Sequence, residues 1–152
     1  MRQQGNRPEI MVVDDDPDTL VVLVRHIKRE GYAVREACSG AECLRLAKVQ
    51  PPDVILMDLM MPEMDGFAVC RALRADSATA EIPVIMLTAR DDVEAKAEGM
   101  QVGVSDFIAK PVIRRELAER IQMQLEMIAA GRTNFATLDR LNHRGLDHSE
   151  KE

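Results

Sequence analysis

The chain has 152 residues, 46% of them hydrophobic and 30% charged, a composition that builds one globular domain with a substantial core. A net charge of −6, no Trp and a single Tyr leave no basic, aromatic surface for gripping phosphate backbones or stacking bases, so no direct nucleic-acid contact is expected. No apolar run approaches a membrane span and MRQQGNRPE lacks the apolar stretch of a signal peptide, which makes the cytoplasm the expected location and a membrane partner unexpected.

Residues 1–8 read as a flexible arm. Ile10–Val13 is a run of β-formers too short for a helix, and it ends directly in Asp14, Asp15 and Asp16. Asp16-Pro17-Asp18 then offers a cap, a proline suited to a first helical turn and favourable negative charge. A helix over Pro17–Glu30 follows, stopped by Gly31. Ala33–Ala37 carries two adjacent charges, as expected of a strand near a sheet edge. Ser39 can cap a helix reaching Lys48, and Pro51-Pro52 halt the chain before a second apolar run, Val54–Met57, which leads into Asp58. Asp65-Gly66 makes a turn ahead of a helix over Gly66–Ala75.

Val84–Leu87 is the third apolar run and ends at Thr88. The next helix, Asp91–Val102, is poor in large apolar residues and contains Gly99, which costs about 1 kcal/mol relative to Ala inside a helix. Phe107–Ala109 runs into Lys110, and a fifth helix begins at Pro111. Its apolar stripe, Leu117, Ile121, Leu125 and Ile128, continues to Gly131, longer than a five-stranded sheet needs; it suits ordinary packing, a dimer seam or the start of a linker. Residues 132–152 form a polar tail in which Phe135, Leu138 and Leu141 are spaced for one short amphipathic helix. Cys38, Cys43 and Cys70 have no metal or redox spacing and read as small buried apolar residues.

The four apolar runs are continuous rather than alternating, the pattern of strands buried on both faces of a parallel sheet. Strands alternating with helices through right-handed crossovers give an α/β, doubly wound, five-stranded sheet with five helices, the fifth extended, in a domain over residues 9–131. Ligands of such sheets bind at the carboxyl ends of the strands. Asp14, Asp15, Asp58, Thr88 and Lys110 all stand at those ends and should converge. Carboxylates crowded together repel unless a cation is present, and an all-oxygen cluster suits a hard ion such as Mg²⁺ (or Mn²⁺). Lysine and a hydroxyl opposite them complete a plausible environment for an aspartyl phosphate.

The strings VVDDDP, DVILMDLMMPEMDGF, PVIMLTA and DFIAKP resemble, in order and spacing, the signature segments of response-regulator receivers, over about residues 9 to 125. The resemblance implies the flavodoxin-like strand order 2-1-3-4-5 and a phosphorylation switch of a two-component system. It implies Asp58 as phosphoacceptor from a histidine kinase or phosphotransfer protein. Mg²⁺ would be held by Asp15, Asp58 and the backbone carbonyl of Met60, with Asp14 acting through water. Thr88 is similar to the switch hydroxyl, Lys110 to the phosphate-binding lysine and Phe107 to the aromatic switch. The Lys110–Pro111 bond is expected to be cis. Met60 and Arg90, two residues beyond Asp58 and Thr88, occupy positions that tune the phosphate's lifetime. The responsive surface would be the fourth helix, fifth strand and fifth helix. It would act on a downstream protein or an attached output domain, with homodimerisation possible there or through the fifth helix.

Two other functions share parts of this pattern. A haloacid-dehalogenase-type phosphatase also uses a strand-end Asp, but needs a second Asp two residues later, where this chain has Met60. A docking module with the same fold and no phosphate chemistry is opposed by the intact Asp14, Asp15, Asp58, Thr88 and Lys110. The receiver reading therefore predicts no enzyme in the ordinary sense, only phosphorylation and dephosphorylation of Asp58. About 20 residues beyond the fifth helix are too few for an output domain, which fits either a single-domain regulator or part of a longer chain.

Overall fold

A computed structural model describes residues 7–89 and 92–131. Five strands, β1 (Glu9–Val13), β2 (Ala33–Ala37), β3 (Val54–Asp58), β4 (Val84–Ala89) and β5 (Asp106–Lys110), alternate with five helices. These are α1 (Pro17–Arg29), α2 (Gly40–Val49), α3 (Gly66–Ala75), α4 (Val93–Val102) and α5 (Arg114–Ala129). Every strand pair is parallel and the order is β2-β1-β3-β4-β5, the doubly wound sheet expected from the alternation of runs and helices.

The continuous apolar runs are explained by burial on both faces. Met11, Val13, Ile55, Met57, Val84 and Met86 point to one side and pack under α2, α3 and α4. Ile10, Val12, Leu56, Ile85 and Leu87 point to the other, under α1 and α5. Alternate residues feed alternate cores, so a one-residue slip in any central strand would exchange the two sets. β2 lies at one edge, as its paired charges predicted. β5 lies at the other, and there the expectation of two-sided burial fails: Ile108 is buried, whereas Phe107 and Ala109 are half-buried because no strand covers their outer flank.

Side chains close four of the helix starts. Asp16, Ser39, Asp65 and Asp92 accept from backbone N–H groups in the first turns of α1, α2, α3 and α4, each a contribution of about 1 kcal/mol. At the other ends, Gly31 and Gly103 hold φ of 94° and 91°, where a Cβ would be strained. Arg74 stitches the far end of α3 to its surroundings. Its guanidinium donates to the carbonyls of Gly103, Ala80 and Ile82 at 2.6–3.1 Å, and burial lowers its pKa.

Several expectations need correction. α5 starts at Arg114 rather than Pro111: residues 111–113 are used to turn off β5, and Ile113 still has extended backbone at the N-cap. Leu117 and Ile121 are core residues, with Leu125 and Ile128 packed against the same cluster beside Tyr32 and Val34, so the stripe is ordinary packing along its described length. Cys43 and Cys70 are buried, but Cys38 is exposed, because the chain leaves the edge strand there and only its neighbour Ala37 turns inward. Arg90, the expected start of the fourth helix at Asp91, residues 1–6 of the N-terminal arm and the tail over 132–152, with Phe135, Leu138 and Leu141, lie outside the described residues.

Candidate functional site

Four strands deliver their last residues to one place. β1 ends at Val13 and hands Asp14 and Asp15 to the carboxyl edge of the sheet; β3 ends on Asp58 and β4 carries Thr88. The β3–β4 register sets Asp58 against Leu87, and the β4–β5 register sets Thr88 against Ala109 and Ala89 against Lys110. Thr88 therefore stands one residue, and Lys110 two residues, beyond Asp58 along the strand direction. Carboxylate oxygens of Asp14, Asp15 and Asp58 lie within 4.8 Å of one another. Asp14, Asp58 and Thr88 are buried, while Asp15 is exposed.

The electrostatics are unbalanced toward negative charge. Lys110 Nζ meets Asp58 Oδ1 at 2.5 Å, with the lysine side chain still 41% exposed. Among the described residues Asp58 Oδ1 receives no hydrogen bond outside that ion pair. Burial pushes the Asp14 carboxyl up from its usual range, and repulsion from Asp58 and Asp15 adds to this. The N–H of Asp16, donating at 2.9 Å to Asp14 Oδ1, and the charge on Lys110 pull the other way. Three carboxylates against one ammonium is an oxygen-only donor set with an excess of charge, which fits a hard divalent cation.

The loop from Asp58 to α3 is tightly held. Leu59 N donates to Leu87 O and Gly66 N to Leu59 O, while Glu63 adopts φ 70°, a left-handed conformation costing a non-glycine residue about 1–2 kcal/mol. A Cβ on Gly66 would sit 3.1 Å from both Asp58 O and Leu59 Cα and 2.5 Å from Met86 Sδ. Gly66, read from sequence as a turn residue, thus also permits the start of α3 to approach the backbone of Asp58. Met60 projects from this loop with 72% exposure. The Lys110–Pro111 peptide bond is cis.

Phe107 is half-buried and packs against the core beneath α4, its ring on Gly99. His26 of α1 lines a cleft of about 390 Å³ beside Lys110 and Pro111; burial lowers its pKa, and Arg114, Arg29 and Arg25 lower it further. Sequence reasoning did not find the roles of Gly66, Gly99 and Arg74, because each depends on what lies across a gap and no local pattern encodes that.

Among known proteins, the family model for the response regulator receiver domain matches residues 10–122. The chain is 39% identical over 118 residues to the Synechocystis DNA-binding dual master transcriptional regulator RpaA, covering 78% of this chain and 49% of that protein. It spans about half the length of the curated relatives it matches. Vibrio cholerae chemotaxis protein CheY4 superposes with a TM-score of 0.73 at 32% identity, covering 77% of this chain and 98% of that one. The receiver domain of the Pseudomonas aeruginosa sensor histidine kinase PA1611, solved with a magnesium ion coordinated in its active-site cleft, gives 0.73 at 32% identity, covering 80% and 99%.

Proposed function

Because the chain belongs to the response regulator receiver domain family of two-component signalling, we propose that it is a phosphorylation-dependent switch that accepts a phosphoryl group on Asp58. The observation that carries this reading is the Asp58–Lys110 pair at the rim of a three-carboxylate cluster. A structural salt bridge needs one acid for one base. The two extra acids cost repulsion and desolvation, which makes sense where a cation and a phosphate are to be held.

Asp15, Asp58 and the Met60 carbonyl would hold Mg²⁺, with Asp14 reaching it through water. The ion, when bound, neutralises charge on the phosphoryl oxygens during transfer. The protein's own part is positioning. An Asp58 carboxylate oxygen attacks phosphorus, the bond from phosphorus to the donor's nitrogen or oxygen breaks, and the donor keeps that electron pair. Lys110, which pairs with Asp58 beforehand, is placed to follow the new charge onto a phosphoryl oxygen, and the Thr88 hydroxyl to donate to another. Phe107 then couples Thr88 to the surface made by α4, β5 and α5. Met60, which projects from the loop after Asp58, and Arg90, two residues after Thr88 in sequence, tune how long the phosphate survives.

The donor is a histidine kinase or phosphotransfer protein. The responsive surface acts on a downstream protein or an attached output domain, or on a second copy through α4-β5-α5 or α5. Relatives about twice as long and named transcriptional regulators favour an output domain in the longer proteins. The net charge of −6 and the absence of Trp oppose direct nucleic-acid contact by this chain. Among the described residues no helix is long and apolar enough to cross a membrane, in keeping with action in the cytoplasm.

Intact-mass spectrometry after incubation with acetyl phosphate and Mg²⁺ tests the reading. One phosphoryl adduct is expected, absent in Asp58→Ala and absent with chelator. No adduct in folded wild type, with acetyl phosphate and with cognate kinases alike, would leave only a docking module.

A further inference from the structure

The chain leaves α5 through Gly131, whose φ of 84° and N–H bond to Ile128 O close the helix with a left-handed turn. A Cβ there would meet nothing within 4 Å, so the glycine sets the direction of the backbone and makes no room for a neighbour. Such a residue ends the helical course and turns the chain across the last turn of the helix. That turn carries Ile128.

Ile128 is also one wall of a groove of about 280 Å³ at the amino-terminal edge of the sheet, where the chain enters β3 and β4. Pro52, Ile82 and Pro83 give it apolar surface, and Asp53 and Glu81 line it with carboxylates. Asp53 already accepts the N–H of Glu9 at 2.7 Å. The two prolines restrict the backbone of both loops, which favours a groove that keeps its shape. α5 has no basic residue in its last turn, so the negative end of its dipole adds to these carboxylates. The groove is apolar in its floor and negative around it.

The segment after Gly131 lies outside the described residues, and its sequence complements this groove. Arg132 brings a cation to the end of α5, and Thr133 and Asn134 are residues that start helices. Phe135, Leu138 and Leu141 recur at the spacing of one helical face. Four extended residues span about 14 Å at most, while the helix rise from Ile128 to Gly131 is only about 4.5 Å. Phe135 is therefore within reach of the groove. We propose that residues 132–141 fold back onto it, with Phe135 on its apolar floor and Arg132 beside Asp53 and Glu81. The receiver then carries its own occupant at the edge opposite Asp58, and anything after Leu141 starts from a fixed point on the sheet. This is independent of the phosphoacceptor reading.

The chain contains no Trp, so Phe135→Trp in the full chain makes a single fluorophore that reports on the groove. Its emission should lie to the blue of N-acetyltryptophanamide, and acrylamide should quench it about threefold less, because the undocked state is then the minority. His148→Trp, beyond the docking segment, should behave as the free compound. Ala78 is exposed on the groove wall, and Ala78→Arg fills the space with a cation that competes with Arg132. Added to Phe135→Trp, it should return the emission to that of the free compound. Arg132→Glu should raise the quenching of Phe135→Trp by opposing the carboxylates.

Emission from Phe135→Trp that matches the free compound, equal protection of His148→Trp, or protection that survives Ala78→Arg overturns the proposal. Protection that rises with protein concentration overturns it too, since a second copy then fills the groove. If circular dichroism shows that Ala78→Arg does not fold, Arg132→Glu decides alone, and unchanged quenching there sinks the idea.

Discussion

At Asp14 the requirements of stability and function conflict. Its carboxylate is 2% exposed, shares a 4.8 Å neighbourhood with two others and has its pKa raised chiefly by burial. A raised carboxylate pKa means that the cation-free fold is favoured while Asp14 is protonated and loses that support as pH climbs through the raised value. Asp14→Asn keeps the shape and an acceptor for Asp16 N while removing one charge. It should raise the melting temperature in chelator at pH 7.5, by an amount that shrinks toward acid pH, and reduce the further rise produced by Mg²⁺. A lower melting temperature in chelator would show that repulsion is not what Asp14 contributes. Met60 is the complementary case: it is 72% exposed and its side chain is free to vary. Polar substitutions there should change the decay rate of the Asp58 phosphate without abolishing labelling, as read by a time course of the adduct.

Among the elements, α5 carries an anomaly. Gln124 is fully buried, and among the described residues neither its Oε1 nor its Nε2 has a hydrogen-bond partner. It lies among Leu117, Ile121 and Met127 on the face turned to the sheet. Burying an unpaired amide costs about 1–3 kcal/mol, so Gln124→Met, nearly equal in length, should stabilise the fold by about 1–2 kcal/mol in chemical denaturation. A destabilised variant would mean that the amide is satisfied in solution. The same helix shows how far sequence carries. The spacing of Leu117, Ile121, Leu125 and Ile128 revealed the element and its inner face, because 3.6-residue periodicity is a local property. It did not reveal that the helix starts at Arg114 or that Gln124 shares the inner face. Asp14, Asp15, Asp58 and Lys110 were legible as one site because each ends an apolar run, and parallel strands bring such ends together. Gly99 was legible only as a weak point in a helix, since its partner Phe107 arrives from a strand whose packing the sequence does not state. Cys38 was misjudged for the same reason: local apolar neighbours do not say which of them faces outward.

For the molecule as a whole, the two cores on opposite faces of one sheet share β1, β3 and β4, so neither can lose its packing without exposing the other. The three thiols can report on this. Cys38 is exposed, whereas Cys43 and Cys70 lie in the core under α2 and α3, with burial pushing the Cys43 thiol up to about 12. Native protein should alkylate at Cys38 alone, with Cys43 and Cys70 reacting together at the rate of global unfolding. Both belong to the core under α2, α3 and α4, so reaction faster than global unfolding would indicate that this core opens independently of the one under α1 and α5. Glu42 holds the Cys38 thiol above its ordinary pKa through a hydrogen bond and its charge, so even Cys38 should react more slowly than a free thiol.

The strand order has one more consequence. One pair of neighbours in the sheet is not consecutive in the chain, because β1 lies between β2 and β3, and the site draws on segments from Asp14 to Lys110 that meet only when all of them are in place. A chain still emerging from synthesis, or one with a misplaced strand, carries every chemically competent residue and yet has nowhere to put a phosphate. Receipt of a signal is thereby confined to molecules that have finished folding, and the sheet inspects its own assembly before the domain can be heard.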